Sequence, residues 1–201
     1  MAKVLIGYNS DVSDPAKALF EACADEAKQI CVDAGCDFEV LTTPNLTNQN
    51  VVNQLGDKQV FFVTAHGASD AVLNEKDEEV VSTRTTNYGF KDKGFYSVSC
   101  YTAKSLKDEL QRIGVLLYVG YDDTFISAGD TEPFCECAME GLRQILSGTT
   151  LAEARTKMKE MFEAKRKVLE KVNSKAAKFL VHDKIHLCFE GDDGLTINDL
   201  K

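Results

Sequence analysis

VFFVTAHG, residues Val60–Gly67, is an unbroken apolar run that stops at a histidine and a glycine. A strand with no polar alternation is one covered on both faces, as the central strands of a parallel sheet are. His66-Gly67 therefore marks the strand's carboxyl end. A second stretch has the same form: GFYSVSC, Gly94–Cys100, is a short strand that leads directly into a cysteine. Upstream, Lys3–Tyr8 (KVLIGY) reads as a buried first strand stopped by the turn and cap formers Asn9-Ser10-Asp11. From Pro15, the apolar positions Ala16, Leu19, Phe20, Cys23, Ala27, Ile30 and Cys31 recur at spacings of three and four, and Gly35 follows as a left-handed cap. That spacing predicts an amphipathic helix, with a second strand at Asp37–Leu41. Residues 45–56 predict a short polar helix ending at Gly56, and Ala71–Ser82 predicts a surface hairpin around Asn74-Glu75-Lys76-Asp77.

Downstream, Ala103, Leu106, Leu110 and Ile113 form a helical stripe closed by Gly114, followed by the strand Val115–Tyr121. Phe134 to Leu146 predicts a helix ending at Gly148. Thr150 and Glu153 have the spacing of a capping box and open a long helix through Val172. A closing strand is expected at Lys184–Phe189. Strand and helix alternate throughout, which argues for an α/β fold: one domain over residues 1–201, with a mostly parallel sheet and helices on both faces.

Composition narrows the function. The chain has 201 residues, 44% of them apolar, enough for a substantial core, and a formal net charge of -9. That charge repels phosphate backbones and anionic lipid, so neither a nucleic acid nor a membrane is an expected partner. The basic residues between Lys157 and Lys178 alternate with glutamates at helical spacing and read as a solvated helix face. The apolar run at the N-terminus is too short for a signal peptide, and no segment has the length of a membrane span. Seven cysteines, an odd number, suit a reducing cytoplasm better than a disulfide framework. Cys135 and Cys137, with His182 and His186 far downstream, match no zinc pattern, and neither a metal nor a cofactor is expected.

In a parallel α/β sheet, functional groups gather beyond the carboxyl ends of the strands. His66 and Cys100 both stand there. A thiol hydrolase needs a sulfur nucleophile, an imidazole to manage protons and donors for the oxyanion. Cys100 and His66 supply the first two. The backbone N–H groups of Gly67 and Cys100 are the candidate oxyanion donors, glycine letting a substrate carbonyl approach closely.

These residues resemble a known family. Val63-Thr64-Ala65-His66-Gly67, then Ser97-Val98-Ser99-Cys100, a helix, Gly114 and the strand Leu116–Tyr121 are similar to the core of the caspase-like superfamily, nearest in style to the bacterial CHAT peptidases, with separases and gingipains as relatives. Ala138–Leu142 and Leu146–Ala154 are similar to the CHAT ending. The resemblance covers most of the chain, best between about residues 58 and 156. It implies a three-layer caspase-like fold with a central sheet of about six strands. It also implies a cysteine endopeptidase in which Cys100 attacks the scissile carbonyl and His66 protonates the leaving amine. Two departures stand out. Cys100 is followed by Tyr101-Thr102 where caspases have a glycine, and the aromatic-Trp segment of CHAT proteins is here Gly120-Tyr121-Asp122-Asp123.

In separase-like and CHAT-like relatives, an acidic residue after this strand contacts a basic side chain of the substrate. By position Asp130 resembles it most, with Asp122 or Asp123 as substitutes, which implies cleavage of a protein or peptide after Arg or Lys. Such enzymes are often held inactive until an activating partner reorganises their loops. The polar, weakly patterned segment from Gly67 to Gly94 is expected to be a mobile loop of that kind. Two other classes compete. One is a catalytically silent caspase-like scaffold in a larger complex. The other is a flavodoxin-like or response-regulator-like ligand binder, which here lacks G-x-G-x-x-G and a Walker lysine. No G-x-S-x-G supports a serine hydrolase.

Overall fold

The computed structural model describes residues 1–85 and 89–201. It is an α/β fold whose main sheet has six strands: β1 (Lys3–Tyr8), β2 (Asp37–Thr42), β3 (Val60–Thr64), β7 (Gly94–Val98), β8 (Leu117–Tyr121) and β9 (Leu187–Glu190). Their order is β2-β1-β3-β7-β8-β9, parallel except for β9, which runs antiparallel to β8 at the edge. The helices are α1 (Lys17–Asp33), α2 (Asn48–Gln54), α3 (Ser105–Arg112), α4 (Glu132–Leu146), α5 (Leu151–Val172) and α6 (Ser174–His186).

The period-two geometry of a strand divides the sheet's side chains between two cores. Val4 and Ile6 of β1 and Phe62 of β3 join α1, α4, α5 and α6 on one face. Leu5, Phe61 and Val63 join Val51 of α2 and Leu106 and Leu110 of α3 on the other. All five residues of β3 are buried, as expected for a strand covered on both sides. The capping box at Thr150 and Glu153 forms, and Gly35, Gly114 and Gly148 take the positive φ expected after their helices. No helix among the described residues is long and apolar enough to cross a membrane.

Two expectations are corrected. The segment after Gly67 is not one loop: β4 (His66–Ala68), β5 (Ala71–Leu73) and β6 (Glu79–Ser82) form a small antiparallel sheet, whose β5–β6 arm is the expected hairpin. Val72, Val80 and Val81 are fully buried in the core that holds α2, and the Asn48 side chain donates to the Val80 carbonyl at 2.9 Å. Residues 86–88 of that segment lie outside the described residues. The last strand begins at Leu187 rather than Lys184, because the chain from Ser174 is helix α6, capped by Asn173, whose side chain accepts from the Ala176 N–H. Ile185 is 70% exposed, whereas Leu187 and Phe189 are buried, so the inward face begins with Leu187.

Candidate functional site

Strand register brings the candidate residues to one edge. Tyr8 pairs with Thr64 and Thr64 with Val98, so β1, β3 and β7 end level. Asn9, His66 and Cys100 leave the sheet just beyond. Asp122 and Asp123 follow the end of β8. Because β9 is antiparallel, Leu187 sits opposite Tyr121, and the end of α6 reaches the same edge from the other direction.

The His66 ring is held by two groups that precede it by some fifty residues. Its Nε2 lies 2.7 Å from Asp14 Oδ2, and Phe20 packs edge-on against it with ring centroids 5.3 Å apart. A carboxylate only accepts, so in the neutral ring Nε2 carries the hydrogen and Nδ1 keeps the lone pair for proton transfer. The Asp14 side chain is 8% exposed against 45% for His66, a buried anchor under a half-open ring. Asp14 is itself fixed: Asn9 Nδ2 donates to its Oδ2 at 2.7 Å and the Ala16 N–H to its Oδ1 at 2.8 Å. Asn9 is fully buried and tied to β3 through its N–H to the Thr64 carbonyl, 3.1 Å. The turn after β1 thus serves to aim Asp14 at His66. From sequence it reads only as a helix cap, and the acid's role emerges from the parallel pairing of β1 with β3.

Gly67 joins the histidine to the cysteine. A Cβ at this position would stand 2.2 Å from the Cys100 carbonyl oxygen, 2.9 Å from its nitrogen and 3.0 Å from Ser99 Cβ. The backbones after β3 and β7 are therefore in direct contact, and only glycine permits it. Gly67→Ala is expected to push the two strand ends apart, costing about 2 kcal/mol of stability and displacing Cys100 from His66. A thermal melt combined with the rate of iodoacetamide modification at Cys100 checks this; an unchanged melt and unchanged rate would count against the contact.

Tyr101, directly after Cys100, has φ +63°, the left-handed conformation that glycine adopts freely and other residues rarely do. A tyrosine held in place thus takes a backbone conformation that glycine more often supplies. Its N–H donates to the Asp123 carbonyl at 3.1 Å, Thr124 Oγ1 donates to its hydroxyl at 2.7 Å, and Lys104 lies over its ring at 4.7 Å. Strain of this sort costs about 1–3 kcal/mol and collects at working sites.

The segment 122–126 after β8 lies against the thiol, with Cys100 Sγ 4.0 Å from the Phe125 carbonyl. Helix α6 fixes this segment at several points. Asp183 Oδ1 accepts the Ile126 N–H at 2.9 Å, His182 Nε2 meets the Thr124 carbonyl at 3.0 Å, and His186 Nδ1 meets Asp122 Oδ1 at 2.7 Å. The Asp122 N–H also donates to the His186 carbonyl at 3.0 Å. Burial pushes the Cys100 thiol above its ordinary value, with the Asp183 and Asp123 carboxyls adding to the rise, so at rest the sulfur is protonated. Asp183 is fully buried, its Oδ2 has no hydrogen-bond partner among the described residues, and burial raises its carboxyl to about 8.

The three acids expected at the rim are in different situations. Asp123 stands beside Cys100, and the Thr124 N–H, 2.7 Å from its Oδ1, holds its carboxyl below the usual range. Asp122 is engaged by His186. Asp130 is exposed at the start of α4, where its Oδ1 accepts the Glu132 N–H at 3.1 Å. Asp14 and Asp183 were not singled out from the sequence. Asp183 falls on a helical position that its neighbours Ala176 and Leu180 mark as inward-facing, and a carboxyl at such a position is the signal that could have found it.

Compared with models of known protein families and with curated proteins, the chain matches none.

Proposed function

We propose that the protein is a cysteine endopeptidase of the caspase-like type, acting through His66 and Cys100. The observation that carries this reading is the backbone contact between Gly67 and Cys100 at level strand ends, next to a histidine aimed by a buried aspartate. In the reaction, the Cys100 thiol passes its proton to His66 Nδ1 as the sulfur forms a bond to the scissile carbonyl carbon. The oxygen gathers charge, for which the N–H groups of Gly67 and Cys100 are the candidate donors. His66 delivers the proton to the amine as the C–N bond breaks, and water then hydrolyses the thioester. Asp14 keeps Nε2 protonated and Nδ1 available throughout.

The substrate reading is cleavage after Arg or Lys. Asp123 gives the Cys100 surroundings a negative potential, and Asp122 and Asp130 lie on the same connection. A desolvated carboxylate pairs with a cation and rejects a neutral side chain. The protonated thiol under the Phe125 carbonyl fits an enzyme held latent until a partner moves the 122–126 segment. The seven free thiols fit a cytoplasmic location. The same protonated, covered thiol supports a second reading, a catalytically silent scaffold.

Fluorogenic peptides ending in Arg, Lys or Asp separate these possibilities. Hydrolysis at Arg and Lys at least about tenfold faster than at Asp is expected, together with selective iodoacetamide modification of Cys100 over the other six cysteines. Equal cleavage at Arg and Asp removes the basic specificity. No cleavage, with Cys100 unmodified until denaturation, puts the scaffold reading first.

A further inference from the structure

We propose that Asp123, His182 and His186 form a binding site for a divalent transition-metal ion, with zinc the best match to the donors. His182 and His186 are one turn apart on α6 and share a face, their ring centroids 4.4 Å apart. Asp123 comes from the segment after β8, and its Oδ2 is 3.8 Å from His186 Nε2. One potential ligand atom from each residue lies within 4.8 Å of the others. A tetrahedral ion with nitrogen and oxygen ligands at about 2.0–2.2 Å holds them roughly 3.3–3.6 Å apart. Side-chain adjustment of about an ångström therefore closes the set.

The outer contacts set the tautomers. The His186 Nδ1–H is directed at Asp122 Oδ1, 2.7 Å away, leaving the lone pair on Nε2, the atom that faces Asp123. This carboxylate–histidine arrangement is the usual outer shell of a metal-ligating imidazole, orienting the ring and raising its basicity. A carbonyl only accepts, so the contact of His182 Nε2 with the Thr124 oxygen leaves the lone pair on its Nδ1. Asp123 Oδ1 is occupied by the Thr124 N–H, and Oδ2 is the oxygen left for an ion. Two imidazoles and one carboxylate suit zinc, nickel or copper rather than calcium or magnesium, which require oxygen cages. Three protein ligands leave a fourth position for water or an outside group. Asp122 adds a second negative charge beside a dication.

Sequence spacing hid this site because only two of the three ligands belong to one helix. An ion here would tie α6 to the segment that covers Cys100, two residues from the carbonyl that faces the thiol. The site stands independently of the peptidase reading, although a bound ion would withdraw Asp123 from any basic substrate side chain.

Titration of the full chain with zinc chloride, followed by calorimetry and by thermal melting, tests the site. One ion per chain is expected, with a melting temperature that rises as zinc is added. His182→Gln and His186→Gln should each weaken binding at least about tenfold and abolish the rise, while Cys100→Ala leaves both intact. Cobalt in place of zinc should show visible bands without the strong sulfur charge transfer of a thiolate site. Binding lost in Cys100→Ala and kept in both histidine variants would place the ion on the thiol and overturn the proposal, as would absence of binding. If either histidine variant melts early without metal, Asp123→Asn, which retains the acceptor for the Thr124 N–H, takes its place: weakened binding supports the site and unchanged binding overturns it.

Discussion

Cys100→Ala and His66→Ala are each expected to lower the hydrolysis of an Arg-terminated fluorogenic peptide by at least about 10³-fold, with melting temperatures close to that of the parent. The prediction follows from what each side chain contributes to the fold. Cys100 is only partly buried, packed at the margin of the core, and among the described residues its sulfur's one hydrogen-bonding contact is long, to the Phe125 carbonyl, while His66 is nearly half exposed. Neither anchors a core, so truncation removes chemistry rather than structure. The two losses should not add. A nucleophile and its proton carrier act as a unit, and the double variant should be about as slow as either single one.

Asp14 extends the same test to a residue that acts through another. Asp14→Asn would set an amide N–H against His66 Nε2, favouring the tautomer with the proton on Nδ1. A loss of about 10²-fold is expected, with a pH profile displaced from the parent's. A merely structural role would lower the melting temperature and leave the pH profile of the remaining activity where it was. Full activity in Cys100→Ala would remove the peptidase assignment altogether.

The sequence exposes His66, Gly67 and Cys100 because a parallel sheet writes its strand ends plainly. Val60–Thr64 and Gly94–Val98 are mostly apolar and buried without interruption, and the residues just beyond them stand at the edge where ligands and chemistry collect. Most helices were equally legible, their periods bounded by glycines whose positive φ the fold uses. Groups that act across the sheet were hidden. Asp14 is local in sequence to a helix start, and its partner is fixed only by the register of β1 on β3. Helix α6 was lost for two reasons. Asn173 separates it from α5 without a proline or glycine to mark the break, and its inward face carries Asp183 where a purely apolar stripe would have an aliphatic residue. With α6 unread, the pins on residues 122–126 were unreadable too, and Asp122 and Asp123 looked like free loop acids rather than partners of His186. The same omission made the chain after Gly67 the obvious candidate for control of the site. The contacts instead put the connection after β8 against the Cys100 sulfur.

Asp183→Asn is expected to make the protein progressively more stable than its parent as pH rises, the stability difference growing by about 1 kcal/mol per pH unit between the ordinary aspartate value of ~3.9 and about 8. The sign follows from the protons bound. Over that window the unfolded chain has released the Asp183 proton, while the folded chain retains it because burial penalises the charged form. The folded state binds more protons, so stability falls as pH rises, and the fall ends once the folded group also ionises. An asparagine carries no such proton and shows no such slope, and its oxygen can still accept the Ile126 N–H now bound by Asp183 Oδ1. In acid the parent should be as stable as the variant or more so, since a protonated acid fits the unpartnered Oδ2 position at least as well as an amide donor does. Paired melts from pH 4 to 9 measure the difference, and a gap independent of pH would mean that the carboxyl is not held neutral. The same titration bears on function. An ionised Asp183 still accepts the Ile126 N–H, and it adds negative charge near Cys100, so raising the pH should disfavour the thiolate. Iodoacetamide modification of Cys100 should then climb less steeply with pH in the parent than in Asp183→Asn, which gains no charge beside the thiol.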